Sequence, residues 1–300
     1  MKLLVTGGSS QPGFKAIVEA LKRGHSVTAL HFKNAIPLEH ENLRKVRIDI
    51  TKSVMLQDLI FKERPDVVLH IAAYGDVDGC ERNKQLAWKV NVKATMVLAL
   101  AAEVVKAHVV YLSTDYVFDG EKGLYSEEDL PNPVNYYGLT KLMGEVAVMS
   151  RCSRWSIVRT SSMYGLGPGR KNFAKFLIER LSRGETVKTL IDQFVSPTHA
   201  NLLAEALLEI AEGNRAGIFH VAGERMNRYE FALRVAEELG FDKSLIKEAK
   251  MEEFNWFARR PRDSSLNTSK TAERLRTEFS STERALSELK REYLSSMRGE

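Results

Sequence analysis

Short, nearly unbroken apolar runs alternate in the first half of the chain with stretches whose apolar residues recur every three or four positions. Leu3-Leu4-Val5 ends in Thr6-Gly7-Gly8, and Phe14, Ile17, Val18 and Leu21 follow at helical spacing. A β-branched and apolar run over 26–32 comes after Gly24, which is placed to cap that helix. Val46-Arg47-Ile48 predicts a third strand. A helix over 54–62 stops before Arg64-Pro65, because proline disfavours helix in the residue ahead of it. Residues 66–72 and 108–112 are strands that need burial on both faces. A helix over about 85–106 lies between them, a helix over 135–149 comes next, and Ser156-Ile157-Val158 is a sixth strand. Strands joined by helices imply right-handed crossovers, hence an α/β fold with a Rossmann-type, doubly wound parallel sheet.

Past about Gly165 the rhythm loosens. Helices over 173–183, 202–211, 229–239 and 282–293 alternate with short apolar pieces such as 217–222. This predicts a dinucleotide-binding domain over 1–165 and a smaller substrate-binding lobe over 166–300, some of whose strands and helices return to the first. The last residues, 295–300, read as frayed. Length and hydrophobic content (300 residues, 44%) are ample for such a core. A net charge of +5 is spread out, which argues for anionic small ligands and does not demand nucleic acid. Two distant cysteines, Cys80 and Cys152, exclude a disulfide scaffold and fit a reducing compartment. No apolar run reaches a membrane span and the N-terminus does not read as a secretory signal, so the chain is expected to be cytoplasmic. Scattered histidines give no metal-ligand spacing, and no metal is expected.

Gly7-Gly8-Ser9-Ser10-Gln11-Pro12-Gly13 stands between the first strand and the first helix. A pyrophosphate site needs a tight turn that exposes backbone N–H groups, with the positive end of a helix behind it. Gly7 allows the turn, Gly13 lets the helix lie close to the strand, and Pro12 suits a helix start. The spacing resembles the glycine pattern of extended short-chain dehydrogenases, except that Ser10 replaces the middle glycine. Its Cβ either pushes a phosphate outward or its hydroxyl adds a hydrogen bond. After the second strand, where an NAD site places a carboxylate for the ribose, the chain has His31-Phe32-Lys33. Nothing there repels a 2′-phosphate and Lys33 could pair with one, so the reading favours NADP(H) over NAD(H). Asp49-Ile50 after the third strand matches the superfamily's position for an acid against the adenine.

Tyr137 and Lys141 stand four residues apart, on one face of a helical turn. A phenol with a pKa near 10 is a poor proton donor at neutral pH, and a neighbouring ammonium is expected to lower it. Lys141 is also placed to hold a nicotinamide ribose. Thr114, at the end of the fifth strand, brings a hydroxyl to the carboxyl end of the sheet, where ligands bind in this architecture.

Three runs carry a resemblance over nearly the whole chain. Ser113 to Gly120, Tyr136-Tyr137-Gly138-Leu139-Thr140-Lys141 continuing to Glu145, and Arg260 to Leu266 resemble the dTDP-4-dehydrorhamnose reductase family and come in its order. His70 to Ala73, Asn91 and Ser196-Pro197-Thr198 match as well. The resemblance implies a catalytic set of Thr114, Tyr137 and Lys141. It implies cofactor contacts from Gly7, Ser10, Gly13, Asp49, Ala72, Ala73 and Lys141, to which Gln11, Pro12, His31, Lys33, Ile50, Asn91 and Tyr137 are added. Tyr116 and Arg260 are the substrate-binding candidates, with Arg159, Arg170, Lys171, Arg259 and Arg262 as further basic groups for a diphosphate. Dehydratases of similar layout follow the threonine with Asp-Glu, whereas here Asp115 is followed by Tyr116, which disfavours water elimination. The implied activity is NADPH-dependent reduction of the 4-keto group of a deoxysugar nucleotide. A homodimer is left open. A sugar-nucleotide epimerase shares the trio. A non-catalytic, NADP-binding regulatory subunit of methionine adenosyltransferase has a similar pattern, and Ser10 and Asn201 depart from the reductase pattern.

Overall fold

The computed structural model describes residues 1–298. Seven parallel strands form the central sheet: β1 (Lys2–Thr6), β2 (Ser26–His31), β3 (Leu43–Arg47), β4 (Val67–His70), β5 (His108–Thr114), β6 (Trp155–Thr160) and β7 (Gly217–His220), in spatial order β7-β6-β5-β4-β1-β2-β3. Chain order reverses between β1 and β4, whose last residues, Thr6 and His70, are paired in register. A reversal of this kind opens a crevice beyond the carboxyl ends of the strands.

Successive strand residues face opposite sides, so the two halves of each apolar run feed separate cores. Leu3, Val5 and Leu69 pack with Ile17 and Ala20 of α1 (Gln11–Lys22) on one face. Leu4, Leu30 and Val68 pack on the other with Leu56 and Ile60 of α2 (Ser53–Glu63), Leu98 of α3 (Ala94–Val104) and Val148 of α4 (Tyr136–Arg151). Gly24 takes a φ of 75° just past α1, and Arg64, at a φ of 43°, closes α2 before Pro65. The long helical stretch expected over 85–106 is a ribbon of short α-helix (Lys84–Trp88), a π-turn (Lys89–Lys93) and α3.

Beyond residue 166 come α5 (Phe173–Leu181), α6 (Ala200–Glu212), α7 (Arg228–Leu239) and α8 (Thr282–Arg298). Two segments of this half are built into the sheet layer. Strand β7 pairs with β6, so the piece read as part of the smaller lobe is a sheet edge, and α6 shares the α1 core through Leu203 and Leu207. The expectation of a frayed end over 295–300 is corrected for 295–298, which continue α8; Ala285, Leu286 and Leu289 bury that helix along one face. Gly299 and Glu300 lie outside the described residues. Among the described residues no helix is long and apolar enough to cross a membrane.

Candidate active site

The crevice at the sheet's carboxyl end is a cavity of about 1070 Å³. Its floor is the glycine turn. Gly7, at a φ of 70°, lies so close to β4's exit that a Cβ there would come within 2.9 Å of the Ala72 backbone. Ser10 caps α1: its Oγ donates to Gly7 O (2.6 Å) and accepts from Gly13 N (3.2 Å). The serine hydroxyl is therefore spent on the turn itself. Gln11 N begins the helix without an acceptor among the described residues. A free amide at a helix N-terminus, beside the bare backbone of Gly7, suits a dinucleotide pyrophosphate.

Ala72 is fixed from behind. The Thr6 hydroxyl accepts from Ile71 N and Ala72 N (3.0 Å each) and so turns its own proton toward His70 Nδ1 (2.8 Å). That leaves His70 Nε2–H to donate to Thr95 Oγ1 (2.9 Å), whose proton goes to Asn91 O. Burial, with Lys141 adding to it, pushes the His70 pKa down to about 3, so the ring is neutral as this chain of bonds requires.

Ser10, Gln11, Pro12, His31, Lys33, Asp49, Ile50, Ala72 and Ala73 line the cavity with Gly7. Burial works to raise the Asp49 pKa, but Thr51, donating from N (2.9 Å) and Oγ1 (2.8 Å), holds it below the ordinary value. Gly13 does not line the cavity; it has the packing role read from its place in the turn, since an added Cβ would stand 2.2 Å from Gly7 O. Asn91, expected as a cofactor contact, is corrected. It sits buried in the π-turn, accepting from Tyr74 N (2.7 Å) and donating to Thr140 Oγ1 (3.0 Å), and so ties the loop after β4 to α4.

Thr114, Tyr116, Tyr137 and Lys141 line the same cavity. Asn135 caps α4 by accepting from Gly138 N (2.9 Å), and Gly138 permits the helix to press against Tyr116 O, 2.0 Å from where a Cβ would be. This close approach sets the Tyr137 and Tyr116 rings edge to face, 6.1 Å apart. Asp115, beneath them, accepts from Thr114 (2.9 Å), Ser161 (2.8 Å) and Ser264 (2.5 Å), three hydroxyls from distant parts of the chain. Burial raises its pKa against those bonds.

The expected effect of Lys141 on Tyr137 is corrected. Burial raises the phenol above its ordinary pKa, the Thr114 hydroxyl pulls the other way by hydrogen bonding, and Lys141 is not among the main influences. The reason is geometric. Its ammonium folds down onto β5, donating to Leu112 O (2.7 Å) and lying 4.0 Å from the Tyr111 ring centroid. Desolvation brings Lys141 down to about 7, against the opposing charge of Glu145.

Of the basic candidates, Arg170 and Lys171 line the cavity; Arg260, Arg159, Arg259 and Arg262 do not. Arg260 is drawn to Asp78 (3.0 Å) and Arg159 to Glu145 (2.8 Å), and a paired guanidinium is not free for a phosphate. Asn201, also outside the cavity, donates to Glu288 (2.9 Å). Arg228, at the start of α7, lines the cavity and was missed, because nothing in its local sequence marks it. Among the described residues no group of three or more His, Cys, Asp or Glu is placed to hold a metal.

Comparison with known proteins agrees in class. The family model described as the RmlD substrate binding domain matches residues 1–295. A probable low-salt glycan biosynthesis reductase, Agl14, of Haloferax volcanii is 33% identical over 90% of each chain. A hypothetical dTDP-4-dehydrorhamnose reductase from Sulfolobus tokodaii is 39% identical over 94% of this chain and 97% of its own, with a TM-score of 0.83. The dTDP-4-dehydrorhamnose reductase of Bacillus anthracis, solved in complex with NADP, is 27% identical over 98% of this chain and 99% of its own, at 0.84.

Proposed function

The chain belongs to the RmlD substrate-binding-domain family, and from that premise we infer that it reduces the 4-keto group of a deoxysugar nucleotide with NADPH. One observation carries the reading: Thr114, Tyr137 and Lys141 open into the same cavity as the glycine turn. The turn and α1 N-terminus would hold the pyrophosphate, and Asp49, Ala72 and Ala73 the adenosine half. His31 and Lys33, with no carboxylate after β2, favour a 2′-phosphate. When bound, the reduced nicotinamide supplies the hydride.

Tyr137 gives its proton to the carbonyl oxygen as the carbon is reduced, so the product is a secondary alcohol and the phenolate regains a proton from solvent. Thr114 would hold the same oxygen by turning its hydroxyl proton from Asp115 Oδ1 to the substrate. Lys141, with a pKa of about 7, is charged in part at neutral pH, and turning from Leu112 O toward a ribose hydroxyl would bring its charge to the phenol. The retained trio favours an enzyme over a purely regulatory subunit.

Tyr137→Phe tests the reading. Turnover of a dTDP-4-keto-6-deoxysugar should fall by roughly 10²–10⁴-fold, with NADPH binding nearly intact. Full activity in that variant would end the proposal.

A further inference from the structure

We propose that Arg228 anchors the diphosphate of the sugar nucleotide, an assignment that rests on the reductase reading above. Arg228 occupies the first position of α7 and faces the cavity beside Ser162 and Val195. Its guanidinium donates to Gln193 Oε1 (2.6 Å) and Ser162 Oγ (3.4 Å) and lies over the Phe173 ring, 5.3 Å from the centroid. Both acceptors are neutral. Among the described residues no carboxylate reaches ion-pair distance of Arg228, whereas Arg159, Arg225 and Arg260 are each so paired. The nearby buried acid, Asp115, already accepts from three hydroxyls. A guanidinium held by neutral hydrogen-bond partners at a cavity wall, with Asp115 within electrostatic reach but not in ion-pair contact, is preorganised for an incoming oxyanion.

Position selects the oxyanion. Arg228 is near enough to act electrostatically on the Tyr116 phenol, and the Tyr116 and Tyr137 rings are 6.1 Å apart. Arg228, Tyr116 and Tyr137 line one cavity, so a sugar whose carbonyl carbon is at Tyr137 would carry its diphosphate, on the carbon across the ring, toward the Arg228 side. The dinucleotide's own pyrophosphate has its seat at the α1 N-terminus. A carboxylate carried on the sugar shares the chemistry and is separated by experiment.

The test uses the full chain, with dTDP as a probe that has the diphosphate and no sugar. Calorimetry with wild type, Arg228→Gln and Arg228→Lys, each checked for an unchanged melting curve, should show dTDP affinity falling roughly 30-fold in the Gln variant and partly restored in the Lys variant. The salt dependence of binding should flatten in Arg228→Gln. In turnover, KM for the keto sugar nucleotide should rise while kcat and the KM for NADPH stay within about threefold. Equal dTDP affinity in wild type and Arg228→Gln overturns the assignment; a raised sugar-nucleotide KM alongside it moves the anion to the sugar. Wild type that binds no dTDP overturns it as well. Arg228-dependent dTDP binding without reduction of any keto sugar sustains the anchor and sinks the reductase reading instead.

Discussion

Arg159 and Glu145 meet in a forked ion pair beneath the active site, Nε to Oε1 at 3.0 Å and Nη2 to Oε2 at 2.8 Å, with side chains 3% and 0% exposed. Ser113 adds a third bond to Glu145 Oε1 at 2.5 Å. Removing one partner strands the other charge where water cannot reach it. Glu145→Gln is expected to cost about 3–5 kcal/mol of stability, read from urea unfolding. The double variant Glu145→Leu/Arg159→Met should lose less than the sum of its single changes. Strictly additive losses would show that the pair is not coupled.

Lys141 makes stability depend on pH. Its folded pKa of about 7 lies below the ordinary 10.5, so between these values the unfolded chain binds the extra proton. Stability attributable to this residue therefore rises with pH through that window; below pH 7 both states are protonated and the burial penalty is felt in full. Lys141→Met removes the penalty. Its stability relative to wild type should be greatest near pH 6 and fall by roughly 2 kcal/mol or more toward pH 10, since each pKa unit corresponds to about 1.4 kcal/mol. Melting curves of both proteins across that range decide it, and parallel pH profiles would refute the shift.

The sheet was legible because its signal is local. Leu3-Leu4-Val5 and the apolar run through Val67–His70 can be satisfied only by a strand covered on both faces. The glycine turn and the Tyr137–Lys141 spacing were legible for the same reason, as each lies within one turn of backbone. What was not legible depends on partners far away in sequence. Arg260 read as a free phosphate ligand until Asp78 was seen 3.0 Å away. Asn91 read as a cofactor contact, but the π-turn swings it inward between Tyr74 and Thr140. Lys141 satisfied the helical spacing and still missed Tyr137, because the Leu112 carbonyl on β5 offers its ammonium a bond. Arg228 was invisible for the converse reason: its meaning lies in having no carboxylate within ion-pair distance among the described residues.

Gly13→Ala tests the packing role assigned to that glycine. The new methyl would sit 2.2 Å from Gly7 O and 2.8 Å from Gly7 C, both backbone atoms that cannot swing aside. Helix and strand must separate, at a cost of about 1–3 kcal/mol or more by the usual penalty for overpacking. Because Gly7 belongs to the turn, NADP affinity should fall together with the melting temperature. A variant that melts like wild type and binds NADP equally well would refute the close approach.

Lys33 and His31 set the expected cofactor preference. Both line the cavity at the end of β2, and the buried His31 Nδ1 has no hydrogen-bond partner among the described residues. Lys33 offers a 2′-phosphate a charge to meet, and no neighbouring carboxylate follows β2 to take ribose hydroxyls in its place. Lys33→Asp reverses the charge at this edge. The ratio of kcat/KM for NADPH over NADH should drop by about tenfold or more, about one power of ten for each 1.4 kcal/mol lost, mainly through KM for NADPH. Lys33 is exposed, so the wild-type preference should also shrink as salt is raised from 50 to about 300 mM, where screening shortens the reach of surface charge. If Lys33→Asp leaves the ratio untouched at every salt concentration, the lysine is only solvated and the choice of coenzyme is made elsewhere in the cavity.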